Sequence, residues 1–203
     1  MLLKSFKGLV GSIGTYTNTY VVYDEKTKEG ILIDVAGNVD KIYNFIENSQ
    51  IKLKYIVLTH CHGDHIFGIK ELKREYPNSK IIIHEDDAAG LTDDTINQCS
   101  YIGIPPNFIE ADIVVKDGDV LDIGETKATI IHTPGHTKGS ISILVEDALF
   151  SGDTLFKGTI GRTDLPTGSN LEMRTSIEKL LKLQDNVIVY PGHGFSTMIV
   201  DEK

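Results

Sequence analysis

Residues 59–65 read THCHGDH and follow directly on LKYIVL, a short apolar run with the look of a buried strand. Three of the chain's seven histidines and one aspartate fall within six residues. Packing three imidazoles and a carboxylate together strands polar groups unless a cation satisfies them. The fold must therefore end a strand at a place where a charged ion can be enclosed. On an extended segment, residues two apart share a face, so His60 and His62 converge on one point. Gly63 permits a sharp turn, after which Asp64 and His65 aim at a second point nearby. Asp64 is also a natural N-cap for a following helix. Imidazole nitrogen and carboxylate oxygen suit zinc and related divalent ions. Cys61 alternates to the opposite face and reads as a small packed side chain rather than a thiolate ligand.

One such cluster supplies four ligands, and two ions need more. Three further candidates follow apolar runs and have glycine beside them, which lets backbone approach closely. They are His136 in HTPGHTKGS, Asp153 in LFSGDTLF and His193 in VYPGHGF. Taken singly, such Gly-containing dipeptides mark turns; together, in order and at strand ends, they form a set. His84, at a strand end before an acidic stretch, reads as structural or solvated. His132 reads as a packing residue, with a supporting role behind the metal ligands or beside substrate as the other possibility.

The remaining pattern is mixed α and β. GLVGSI, NTYVVYD and GILIDV read as strands, the last two flanking the polar turn EKTKEG. Ile42, Phe45 and Ile46 recur at helical spacing, and Ile66, Ile69, Leu72 and Tyr76 predict a helix ending before Pro77. KIIIH is a strand, and residues from about Glu85 to Pro106 read as helical or loop cap material. DIVVKDGDVLDIG predicts a hairpin turning at Asp117–Gly118. TKATIIHT, SISILVE and ALFSGD follow as strands, then a helix over NLEMRTSIEKLLKL and a last strand, NVIVYPGHG. Two sheet-rich halves with helices suggest two sheets packed face to face, although pattern alone establishes only a mixed α/β class.

Composition excludes several roles. The formal net charge of −9 repels phosphate backbones, so nucleic acid is not an expected partner. The apolar runs are far too short to span a bilayer, and the N-terminus lacks the pattern of a secretory signal. Two cysteines do not make a disulfide framework. A cytoplasmic setting is the expectation; oligomeric state is not legible.

THCHGDH, TPGHT, SGDTLF and YPGHG together resemble the metallo-β-lactamase superfamily, and most of all its glyoxalase II-like (hydroxyacylglutathione hydrolase-like) branch. The resemblance spans nearly the whole chain. It implies an α/β (α+β) fold, a four-layer αββα sandwich, as a single domain over 1–203. It also implies two divalent metal ions, zinc first, with iron or manganese possible. His60, His62 and His136 would hold one ion; Asp64, His65 and His193 the other; Asp153 would bridge them. Two such ions carry four positive charges, of which Asp64, Asp153 and a bridging hydroxide offset three, leaving a field suited to an anionic substrate or developing oxyanion. Arg162 falls where the glutathione-cleaving enzymes carry a basic residue, which assigns it to a substrate carboxylate; an ion pair with Asp164 is the competing role. Two departures weigh against glutathione specificity. Asp164 stands where those enzymes have tyrosine, and the chain ends at Lys203 without their helical C-terminal glutathione-binding segment.

The expected chemistry is hydrolysis. A water bridging two ions loses a proton near neutral pH and attacks a carbonyl, with Asp64 as the catalytic residue that aligns it. No extra general acid is evident, and a thiolate leaves without protonation, which favours a thioester or activated ester over an amide. The expected partner is thus a small-molecule thioester or ester. A mononuclear-iron persulfide dioxygenase, using His60, His136 and Asp153, shares the motif set, including the GRTD loop. A lactonase or other ester hydrolase also stays open.

Overall fold

The computed structural model describes residues 1–12, 14–106 and 108–203. Its first half runs β1 (Leu2–Val10), β2 (Thr15–Tyr23), β3 (Glu29–Ile33), α1 (Val39–Asn48), β4 (Lys52–Val57), α2 (Gly63–Ile66), α3 (Ile69–Glu75) and β5 (Lys80–His84). A 3-10 turn (Ala88–Thr92), α4 (Asp94–Asn97) and β6 (Ile113–Val115) complete it. The second half runs β7 (Val120–Ile123), β8 (Thr126–His132), β9 (Ile141–Val145), β10 (Ala148–Gly152), a small β11–β12 hairpin (Leu155–Phe156, Thr159–Ile160), α5 (Asn170–Leu180), β13 (Ile188–Pro191), β14 (Thr197–Met198) and α6 (Ile199–Glu202). Ile13, at the end of the expected GLVGSI strand, lies outside the described residues.

Two six-stranded sheets result, ordered β1-β2-β3-β4-β5-β6 and β14-β13-β10-β9-β8-β7. Alternation along each strand sorts the apolar side chains into layers. Val21, Leu32, Ile56, Ile81 and Ile83 face α1 and α3, meeting Ile42, Ile46, Ile69 and Leu72. Their neighbours Val22, Ile31, Ile33, Val57 and Ile82 face the other way, onto Ile130, Ile143, Val145 and Phe150 of the second sheet. The outer face of that sheet buries Leu149 and Val189 against Leu180 of α5 and Ile199 of α6. This is the expected four-layer αββα arrangement. Each fully buried Ile or Leu contributes about 1.5–3 kcal/mol. Ser169 caps α5, its hydroxyl accepting from the Glu172 N–H at 3.3 Å.

Two local expectations are corrected. DIVVKDGDVLDIG does not form a hairpin: β6 pairs with β5 in the first sheet and β7 with β8 in the second. The Asp117–Gly118 turn instead carries the chain between sheets. It is fastened to the second sheet by Gly118 N–H to the Ile130 carbonyl (2.9 Å) and Ile130 N–H to that of Asp119 (2.8 Å). Val115, Leu121 and Ile123 all sit in the inter-sheet core, so stepping across buries them as well as folding back would. The helix expected to run on from Ile66 breaks at Phe67–Gly68, where the Gly68 N–H donates to the Val35 carbonyl (2.9 Å).

The ends of β4, β8, β10 and β13 meet at one edge of the sandwich. Backbone bonds tie the sheets there, Ile141 N–H to Thr59 O at 2.9 Å and Asn18 N–H to Gly192 O at 2.7 Å.

Candidate metal centre

The loop after β4 delivers His60, His62, Asp64 and His65; those after β8, β10 and β13 deliver His136, Asp153 and His193. Although scattered over more than 130 positions of sequence, all seven expected ligands are brought together. His60, His62 and His136 form one cluster with ligand atoms within 4.8 Å of one another, and Asp64, His65 and His193 form another. Asp153 reaches both: its Oδ2 lies 3.5 Å from His136 Nε2 and 3.1 Å from His193 Nε2, and its Oδ1 lies 3.4 Å from His65 Nε2. The His62 Nδ1 and His136 Nε2 atoms are 2.9 Å apart.

Four of the five imidazoles are oriented from behind. His65 Nδ1 donates to Asp34 Oδ2 (2.7 Å), His136 Nδ1 to the Arg162 carbonyl (2.7 Å) and His193 Nδ1 to that of Tyr16 (2.8 Å). His60 Nδ1 meets Thr59 Oγ1 at 3.0 Å, and that hydroxyl in turn donates to Asp34 Oδ2 at 2.8 Å. With Nδ1 so engaged, the Nε2 lone pairs of His60, His65, His136 and His193 remain for an ion. Asp64 Oδ2 accepts from the Thr17 hydroxyl at 2.7 Å. Asp87 clamps the site's underside, accepting from Cys61 N–H (3.1 Å), Thr137 Oγ1 (2.7 Å) and Gly139 N–H (2.7 Å).

A metal fits this set. His60 Nε2, His62 Nε2 and Asp153 Oδ1 are buried without a hydrogen-bond partner, and buried polar groups are rarely left so. Burial, followed by the crowding of neighbouring imidazoles, pushes the His60 pKa well down; burial, then His136, takes His62 to about 3. Both rings are therefore neutral, as a metal ligand must be. Burial also opposes charge on His65 and His193, yet the surrounding carboxylates overcome it and raise both, His193 to about 9. In the metal-free protein, protons on these two rings balance the carboxylates that a cation would otherwise balance. Backbone crowds the same point: a Cβ on Gly192 would collide with the Asp153 carboxylate and come within 2.7 Å of His65 Cε1.

A cleft of about 130 Å³ opens from this centre, its lining including Val10, Ile102 and Leu165 together with Gln98, Tyr101 and Arg162. Arg162 is there as expected, but its guanidinium is engaged by Asp164. Cys61 is buried in the α1–α3 core, as its alternation implies. His84 and His132, which fall outside the ligand set, stack face to face with centroids 4.0 Å apart. His132 Nε2 donates to the Lys138 carbonyl at 2.9 Å.

The model of the metallo-beta-lactamase superfamily matches residues 13–193. The chain belongs to that superfamily. Among curated relatives, the hydroxyacylglutathione hydrolase GloC of Haemophilus influenzae is 33% identical over 191 residues, covering 92% of this chain and 89% of that protein. Among solved structures, the BLEG-1 B3 metallo-beta-lactamase superposes with a TM-score of 0.87 at 33% identity, covering 98% of this chain and 96% of the other. ETHE1 from Myxococcus xanthus superposes at 0.80 with 28% identity, covering 100% and 81%. The chain thus carries His and Asp clusters able to hold a metal. Asp34, Thr59, Thr17 and Asp87 were missed by sequence reasoning. Only Asp34 left a trace there, as an acidic residue ending a strand-like run, GILID. No helix among the described residues is long and apolar enough to cross a membrane.

Proposed function

We propose that this chain is a dinuclear metal-dependent thioesterase, acting on hydroxyacyl-glutathione-like thioesters in the manner of glyoxalase II. The observation that carries this reading is the pair of ligand clusters sharing Asp153 at the floor of an open cleft. In it, His60, His62 and His136 would hold one ion and Asp64, His65 and His193 the other, with Asp153 placed to serve both. Zinc is the first candidate, with iron or manganese compatible with the same donors. Bound there, the ions supply a water ionised near neutral pH and a Lewis acid for the substrate carbonyl.

The protein's own groups do the rest. Asp64 lines the cleft with Oδ2 pinned by Thr17, so it is held in place to orient the attacking water. Val10, Ile102 and Leu165 give the cleft lining apolar surface. Every histidine lining the cleft belongs to the proposed ligand set, so no imidazole is left over to protonate a leaving group. A thiolate leaves unaided, since its parent thiol has a pKa of about 8.5, and this supports thioesters over amides.

The test follows thiol release by zinc-loaded protein on a panel of thioesters, matched esters and amides. Turnover of thioesters that chelation abolishes and zinc restores is expected. Inertness across the panel overturns the reading. Oxygen uptake with glutathione persulfide by iron-loaded protein would replace it with the dioxygenase alternative.

A further inference from the structure

Among the described residues that line the cleft, Arg162 is the one arginine or lysine, and that side chain already has an anion. Its Nε donates to Asp164 Oδ1 at 2.7 Å and its Nη2 to Asp164 Oδ2 at 2.8 Å, a two-pronged pairing that matches the geometry of a guanidinium recognising a substrate carboxylate. The pairing is set up by the backbone. The Arg162 carbonyl is held by His136 Nδ1, and the Gly161 N–H donates to the Thr154 carbonyl at 3.2 Å. The loop closes beyond Asp164, with Gly168 N–H on Leu165 O at 2.9 Å and Ser169 N–H on Gly135 O at 2.8 Å. Both members of the pair therefore sit on one short loop anchored at each end. Arg162 holds the Asp164 carboxyl down at about 2, so it is ionised at any working pH.

We propose that Asp164 is a specificity-determining residue: a built-in competitor that occupies Arg162 and tunes the cleft toward acyl thiols whose arm, where it crosses this mouth, is uncharged. This deepens the thioesterase reading and rests on it for the substrate, though not for the anion competition itself. A substrate carboxylate reaching Arg162 must displace Asp164, which is tethered two residues away and always at hand. The pair is exposed, with side chains 53% and 68% accessible, so the handicap is modest, about fivefold in affinity at low salt. An uncharged arm faces no such competition and meets Val10, Ile102 and Leu165 instead.

The experiment uses two thioesters with the same acyl group, one with a thiol arm ending in a carboxylate and the other in the corresponding amide. Wild type, Asp164→Asn, Arg162→Gln and the double variant are compared as zinc-loaded enzymes. Asp164→Asn should raise the ratio of kcat/KM for carboxylate over amide about fivefold, through KM, and Arg162→Gln in that background should abolish the gain. A ratio unchanged by Asp164→Asn, or a gain that survives loss of Arg162, overturns the proposal. A second arm measures binding of the two matched non-hydrolysable thioethers to metal-free protein by calorimetry. There Asp164→Asn should tighten the carboxylate ligand alone; equal effects on both ligands would sink the idea. Because this arm needs no turnover, it separates failure of the competition from failure of the thioesterase reading.

Discussion

Asp34→Asn isolates the role of the groups behind the metal ligands. Asp34 is buried at a left-handed φ of 56°, a conformation that asparagine also tolerates, so the backbone need not move. Its Oδ1 accepts from the Thr59 N–H at 2.8 Å, and the asparagine carbonyl can keep that bond. Oδ2 is the oxygen that matters, for it accepts from both His65 Nδ1 and Thr59 Oγ1. An amide NH₂ in its place cannot accept. Either two donors face each other, or His65 moves its proton to Nε2, the nitrogen that points at the centre. Loss of a metal-ligand partner of this kind lowers metal affinity about 10–100-fold, or about 1.4–2.7 kcal/mol. Zinc competition against a chromogenic chelator measures it directly, and the His65 tautomer can be read from the ring's ¹⁵N shifts. Unchanged zinc affinity together with an unchanged tautomer would refute the reasoning.

Two further changes probe the scaffold. Gly192→Ala places a methyl on the Asp153 carboxylate and His65, and should lower zinc affinity at least about tenfold while circular dichroism reports an intact fold; tight zinc binding by this variant would contradict the close approach of that loop. Phe150 is fully buried between the sheets, its ring 5.2 Å from Tyr20 and 5.4 Å from Tyr190, so Phe150→Ala should cost about 3–5 kcal/mol in urea unfolding of metal-free protein. A loss below about 1 kcal/mol would argue against the inter-sheet core.

The seven side chains that meet at this centre were legible because His60, His62, Asp64 and His65 come clustered after an apolar run, while His136, Asp153 and His193 each follow a glycine. The alternating pattern also separated strands from helices well enough to suggest two sheets. What supports the ligands was not legible. Asp34 meets His65 only because β3 and β4 pair in parallel, with Ile33 beside Val57, and no local pattern encodes that register. Thr17 reaches Asp64 across 47 positions, through the same topology. The turn at Asp117–Gly118 misled because Asp-Gly between alternating apolar residues looks the same whether the chain folds back or crosses to another sheet. Arg162 lines the cleft, but its choice between Asp164 and a substrate is a competition between two anions that sequence cannot rank.

Anomalous diffraction from crystals grown with zinc or iron, recorded at the metal edge, tests the centre most directly. Two peaks per chain are predicted, one within bonding distance of His60, His62 and His136, the other of Asp64, His65 and His193, with Asp153 touching both. A single peak confined to one cluster would contradict the dinuclear account, and the absence of any peak among these seven side chains would end it.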